Sequence, residues 1–294
     1  MPLLALGALL LAGCGAPQPP DQAPEPFQDV IRAQGLLRLG DPVGALELAT
    51  TRLEGETALW AHRVTQDARI ALGDEGGVQR EYRELADADP ESALLAYLAG
   101  RALLPDDDLA RPYFERAVEA DPGFAWGHIG LARLEVLRGD MFRAIVQHRE
   151  QLESNPRDPD LQMSLGFLCL DLRLLRDASK AFRVALDGRP WDPRILGGLG
   201  QTLGQLDRGD EALTHLRRAL AIDPSRTDLM AAEAYVLFRE GNYEDAWSTV
   251  ILQQEVDGSA DELLVARLSA KLDRSLPHVA PLGPVHLRAG VGAP

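Results

Sequence analysis

Six histidines, two cysteines and a run of three aspartates are the groups in this 294-residue chain best suited to bind a metal or attack a substrate. Their placement argues against both. His62, His128 and His148 fall at packing positions of the repeat described below. His278 and His286 lie in a proline-rich tail with no partner ligands beside them. Asp106, Asp107 and Asp108 fill a helix break, where carboxylates suit the positive end of the following helix. Cys169 sits at a core position and reads as an inert buried thiol. Gly198-Leu199-Gly200 with Gly204 imitates a phosphate-binding loop, but no strand precedes it and the glycines fall inside a helical pattern. No carboxylate pair in a cleft and no nucleophile with a base can be read from the chain. The expectation is a protein that is not an enzyme and needs no cofactor or metal.

The elements that position these residues repeat. Prolines at 122, 156, 190 and 224 recur every 34 residues, three of them after Asp or Asn and one after Arg189. Ala144, Ala178, Ala212 and Ala246 keep the same period. Turn residues precede the alanines at Gly139-Asp140, Gly209-Asp210 and Gly241-Asn242, and Leu165-Gly166 recurs as Leu199-Gly200. Proline ends a helix because it lacks an N–H and disfavours helical geometry in the residue before it. The alanine lets two helices approach closely, and the Gly-Asp step breaks the chain between them. Each unit is thus a helical hairpin that cannot bury its apolar faces without neighbours, which is the logic of a solenoid.

These positions resemble the tetratricopeptide repeat (TPR) family. Leu165, Gly166, Cys169, Ala178, Phe182, Ala185 and Pro190 match its pattern in one unit, and Leu196, Leu199, Gly200, Leu203, Ala212, Leu216, Ala219 and Pro224 in the next. The resemblance implies an all-α fold, a right-handed superhelix of about seven helix-turn-helix repeats with a C-terminal capping helix. The units fall at about 26–58, 59–92, 93–124, 125–158, 159–192, 193–226 and 227–260, with a cap at 261–274, so that the solenoid spans 27–274. Residues 275–294 read as a disordered tail.

In this family the first helix of each unit lines a concave groove. The matching positions carry Trp60, Arg63, Tyr97, Arg101, Trp126, Ile129, Arg133, Met163, Phe167, Arg194, Tyr235 and Phe238, with Asp67, Asp160, Asp171 and Asp228 among them. Aromatics and arginines are the side chains enriched in binding hot spots. The resemblance therefore implies a partner-binding face at Arg63, Tyr97, Arg101, Trp126, Arg133, Phe167, Arg194 and Tyr235, centred on Trp126, Arg133 and Phe167. The alternative is that some of these only pack between helices. The Lys/Asn clamp that some members use for a C-terminal carboxylate is not reproduced.

Residues 1–13 are apolar and too short to span a membrane, which takes about 20 residues. They have the length of a signal-peptide core. Leu11-Ala12-Gly13-Cys14 resembles the lipobox of bacterial lipoproteins, which implies cleavage after residue 13 and lipidation of Cys14. No Lys or Arg precedes the run, a departure from that pattern. Residues 14–26 then form the lipidated cysteine and a proline-rich tether. Gly15 in place of Asp leans, by the same resemblance, toward the outer membrane facing the periplasm. The net charge of −15 opposes binding to a nucleic-acid backbone. The combined expectation is a membrane-anchored scaffold in the bacterial cell envelope that binds a protein or peptide in its groove. The alternatives are a carbohydrate-binding or enzyme-accessory module using the same groove, or a cytosolic adaptor if Cys14 is not lipidated.

Overall fold

The aspartates that crowd the breaks act as helix caps. The side chains of Asp41, Asp106, Asp140, Asp158, Asp192 and Asp261 each accept a backbone N–H from the first turn of the helix that follows. Such a cap satisfies a donor with no partner within the helix. In the computed structural model, which describes residues 22–275, these breaks separate fifteen α-helices with no strand among the described residues. The leader expected at 1–13, Cys14, most of the tether and the tail from 276 lie outside the described residues.

The helices pair in order. They are α1 (Glu25–Arg38) with α2 (Pro42–Ala49), α3 (Ala58–Ala71) with α4 (Glu75–Ala88), and α5 (Ala93–Ala102) with α6 (Asp107–Ala120). Then come α7 (Ala125–Leu137) with α8 (Met141–Ser154), α9 (Pro159–Asp171) with α10 (Leu175–Gly188), α11 (Pro193–Gln205) with α12 (Gly209–Ile222), and α13 (Thr227–Arg239) with α14 (Tyr243–Asp257). The last helix, α15 (Glu262–Leu272), buries Leu264 and Leu268 and packs on α14, covering the open end of the stack. First helices of adjacent units also touch one another, from α1 with α3 through α11 with α13, and so form the inner layer of the solenoid.

Two columns of residues build the core. Ala110, Ala144, Ala178, Ala212 and Ala246 are fully buried where paired helices cross. Phe114, His148, Phe182, Leu216 and Val250, at the same period, carry the bulk. The bulk needs room. A Cβ on Gly166 would stand 2.7 Å from the Phe182 ring, and one on Gly198, in the next unit, 2.5 Å from it. Phe182 is therefore clasped between two glycines, and Phe114 likewise between Gly100 and Gly130. The glycines at 198, 200 and 204 are packing positions of α11, facing Phe182, Leu216 and Val236.

The turns differ from expectation in one respect. Between the paired helices a left-handed residue recurs at Gly139, Arg173, Asp207 and Gly241. The turn in the sixth unit is thus at Asp207, and Gly209 is the first residue of α12, buried beside Glu240. Aspartate tolerates left-handed geometry better than most residues, so the glycine two places on is not the turn residue of this unit.

The superhelix also closes across its own interior. The Phe27 ring of α1 lies 4.5 Å from the Trp191 ring, just before α11. Arg38 Nη1 donates to Asp223 Oδ1 at 3.2 Å, and its Nη2 lies 2.9 Å from Asp223 Oδ2. The first unit thus meets the fifth and sixth.

Candidate functional site

Inside this closed turn, the inner helices bring aromatic and guanidinium groups together from opposite walls. Trp60 on α3 packs edge-on against Trp126 on α7, with ring centroids 5.0 Å apart. The Arg63 guanidinium stacks over Trp126 at 4.3 Å and over Trp60 at 5.4 Å. Arg194 comes from α11, across the turn, to 4.1 Å over Trp60, and Arg189 to 5.4 Å. Such contacts between a cation and an aromatic face strengthen where water is excluded.

Most of these cations have a carboxylate. Arg194 Nε donates to Asp192 Oδ1 at 2.9 Å. Arg189 forks onto both oxygens of Asp160 at 2.5 and 2.7 Å, and Arg226 onto Asp228 at 2.7 and 2.6 Å. Arg101 grips Asp67 at 2.6 and 2.8 Å and also donates to Gln66 Oε1. Burial works to raise Asp192, but the charge and hydrogen bonds of Arg194 together outweigh it and hold the carboxyl below its usual range. Among the described residues Arg63 and Arg133 form no ion pair. Burial lowers the Arg63 guanidinium from its ordinary value, with Arg101 and Arg194 pushing the same way.

What remains open is a cavity of about 360 Å³. Arg63, Trp126, Arg133, Phe167 and Arg194 line it together with Arg226, and Met163, Ile129 and Val136 supply apolar wall. Asp171 is the carboxylate in the lining. His148 closes the floor as a neutral base. Its Nδ1, 2.9 Å from the Ala144 carbonyl, donates, which leaves Nε2 to accept from the Ser164 hydroxyl at 2.8 Å. Burial pushes its pKa down to about 4.

The eight residues expected on the binding face therefore divide. Arg63, Trp126, Arg133, Phe167 and Arg194 share the cavity, while Tyr97, Arg101 and Tyr235 stand apart from it. Tyr97 is 5% exposed and packs on Trp126 and Phe114, and Arg101 is tied to Asp67. Tyr235 is 50% exposed, beside Arg239. Trp126 is only 6% exposed, so little of its indole is open to the cavity. The packing alternative holds for Tyr97 and for most of Trp126. Arg226 and Arg189 were missed by the sequence reading. Arg189 left a signal, since it breaks the Asp/Asn-Pro rule at 189–190.

Comparison with known proteins agrees with this architecture. A tetratricopeptide repeat family model matches residues 193–226, the unit made of α11 and α12. No curated protein matches the chain. Among solved structures, yeast Tom70 superposes with a TM-score of 0.57 at 15% identity, over 85% of this chain and 61% of that one. A chain of the APC/C hetero-tetramer Cut9–Hcn1 does so with 0.57 at 18% identity, over 81% and 48%. Pseudomonas aeruginosa PilF follows with 0.52 at 20% identity, over 68% and 86%. The chain spans about half of the Cut9–Hcn1 chain it matches. Identities this low speak to the fold alone, and the fold is a TPR-type α-solenoid.

Proposed function

We propose that this chain is a scaffold or adaptor that holds a protein or peptide partner in the concave interior of its solenoid. The observation that carries this reading is the cavity in the inner layer, where arginines without carboxylate partners stand beside half-buried aromatic and aliphatic wall. An overall charge of −15 makes a cationic interior a local exception on an acidic surface. Such a site draws a partner by charge and retains it by apolar contact.

The second half of the proposal is the anchor. Leu11-Ala12-Gly13-Cys14 after an apolar run supports lipidation of Cys14, with the proline-rich segment as spacer to the bacterial envelope, where the partner complex would assemble. Stable anchoring needs more than one acyl chain, each buried CH₂ contributing about 0.8 kcal/mol.

One experiment addresses each half. A benzophenone side chain placed at Phe167, in the cavity, should crosslink a discrete partner in intact cells, and the same group at exposed Lys180 on α10 should not. Crosslinking from Lys180 with none from Phe167 would move the binding face to the outer surface. Cys14→Ser should release the protein from membranes and abolish the acyl mass of the N-terminal peptide. A wild type without that mass, or a variant that still sediments with membranes, would remove the anchor from the proposal.

A further inference from the structure

Two side chains that line the cavity each carry a buried donor with no acceptor in the protein. The donors are Arg63 Nη1 and Trp126 Nε1. The two side chains are in stacking contact, with the guanidinium 4.3 Å from the indole ring centroid, so the unpartnered donors belong to neighbouring groups. Buried donors in native proteins are nearly always satisfied, and a guanidinium that cannot lose its proton demands an anion. The neighbouring cations do not compete for that anion on equal terms, because Arg194 and Arg226 are held by Asp192 and Asp228. Arg133 lines the same cavity, is exposed and has no ion pair. Asp171 is the opposing charge, also exposed, on the α9 side.

We infer that Arg63 and Trp126 form a buried receptor for one carboxylate of the partner peptide, with Arg133 as a second contact at the mouth. The inference rests on the reading of the cavity as a partner site and names the ligand class. Its oxygens accept from the Arg63 guanidinium and the indole N–H. Phe167 and Met163 take the aliphatic part of an acidic residue or of its neighbour. The same oxygens could come from inorganic phosphate, so the probes must separate the two.

The test uses the protein with ¹⁵N-labelled indoles, where Trp126→Phe identifies the Trp126 N–H resonance. Acetyl-Leu-Glu-Leu-amide should move that resonance saturably, and acetyl-Leu-Gln-Leu-amide should bind about tenfold more weakly or worse, the value of one charge-assisted hydrogen bond. Arg63→Gln should lower the affinity for the glutamate peptide by a similar factor. Arg133→Gln, at an exposed position, gives a smaller loss and remains informative if Arg63→Gln fails to fold. Equal binding of the two peptides, or shifts at other indoles with Trp126 silent, would overturn the receptor while leaving a groove that binds peptides. A response to phosphate alone, or to neither probe, would overturn the peptide-carboxylate assignment. Loss of the Phe167 crosslink in cells is the separate outcome that would remove the groove itself.

Discussion

His148 occupies the slot that Phe114 and Phe182 fill in the neighbouring units, and it does so as a neutral base. Its pKa in the folded chain is about 4 against 6.5 for an ordinary histidine. Between those values the unfolded chain binds the extra proton, so stability rises with pH across the window. The penalty is absent at pH 7, begins as pH falls below 6.5 and is complete below about 4, where it reaches at most about 3 kcal/mol. Burial shifts His62 and His215 in the same direction, so only a comparison isolates His148. His148→Phe should flatten the loss of stability between pH 7 and pH 4.5, read from urea unfolding midpoints at several pH values. Parallel curves for variant and wild type would show that this histidine does not sit buried and neutral.

In the third and fifth units a large side chain is pressed between glycines of adjacent helices. Phe182 on α10 lies between Gly166 on α9 and Gly198 on α11, so one ring sets the spacing within its unit and to the next. Gly198→Ala must displace that ring and should cost roughly 1–3 kcal/mol. Ala178→Leu, at the fully buried crossing of the same pair, belongs in the same range. Lys180→Ala on the exposed side of α10 should stay within about 0.5 kcal/mol. Thermal shifts of the three variants, measured side by side, check the assignment. A neutral Gly198→Ala would mean that the ring has room to move, and the clasp would not be what holds the units in register.

Closure of the whole superhelix rests on few contacts between distant units. Phe27 meets Trp191, and Arg38 holds the nearly buried Asp223. Removing a partner from a buried carboxylate is expensive because the charge is left behind. The double variant Phe27→Ala, Arg38→Gln should cost about 2 kcal/mol or more. It should also free α1 from the far wall, seen as faster amide exchange in Glu25–Arg38 and a larger radius of gyration in solution scattering. A variant with wild-type scattering would mean that stacking of neighbouring units alone sets the curvature. The cavity depends on the same closure, since Arg194 reaches Trp60 only across the turn.

The period of 34 was legible without coordinates because every unit solves the same local problem. Proline and aspartate end helices, alanine sits at the crossing, and a large residue fills the space beside glycine. These are short-range constraints, and the order of helices follows from them. Which side chains face inward was legible for the same reason, and Arg63, Trp126, Arg133, Phe167 and Arg194 do share one cavity. What those side chains are free to do was not. Arg101 and Arg194 are spent on carboxylates, and Tyr97 is packed away. Arg189, from the end of a second helix, enters the inner cluster. Small rotations between successive units add up to the superhelical curvature, and no repeat position encodes their sum. That sum brings Trp60 against Arg194 and Phe27 against Trp191, across more than a hundred residues of chain, around the buried and unpartnered Arg63 Nη1 and Trp126 Nε1.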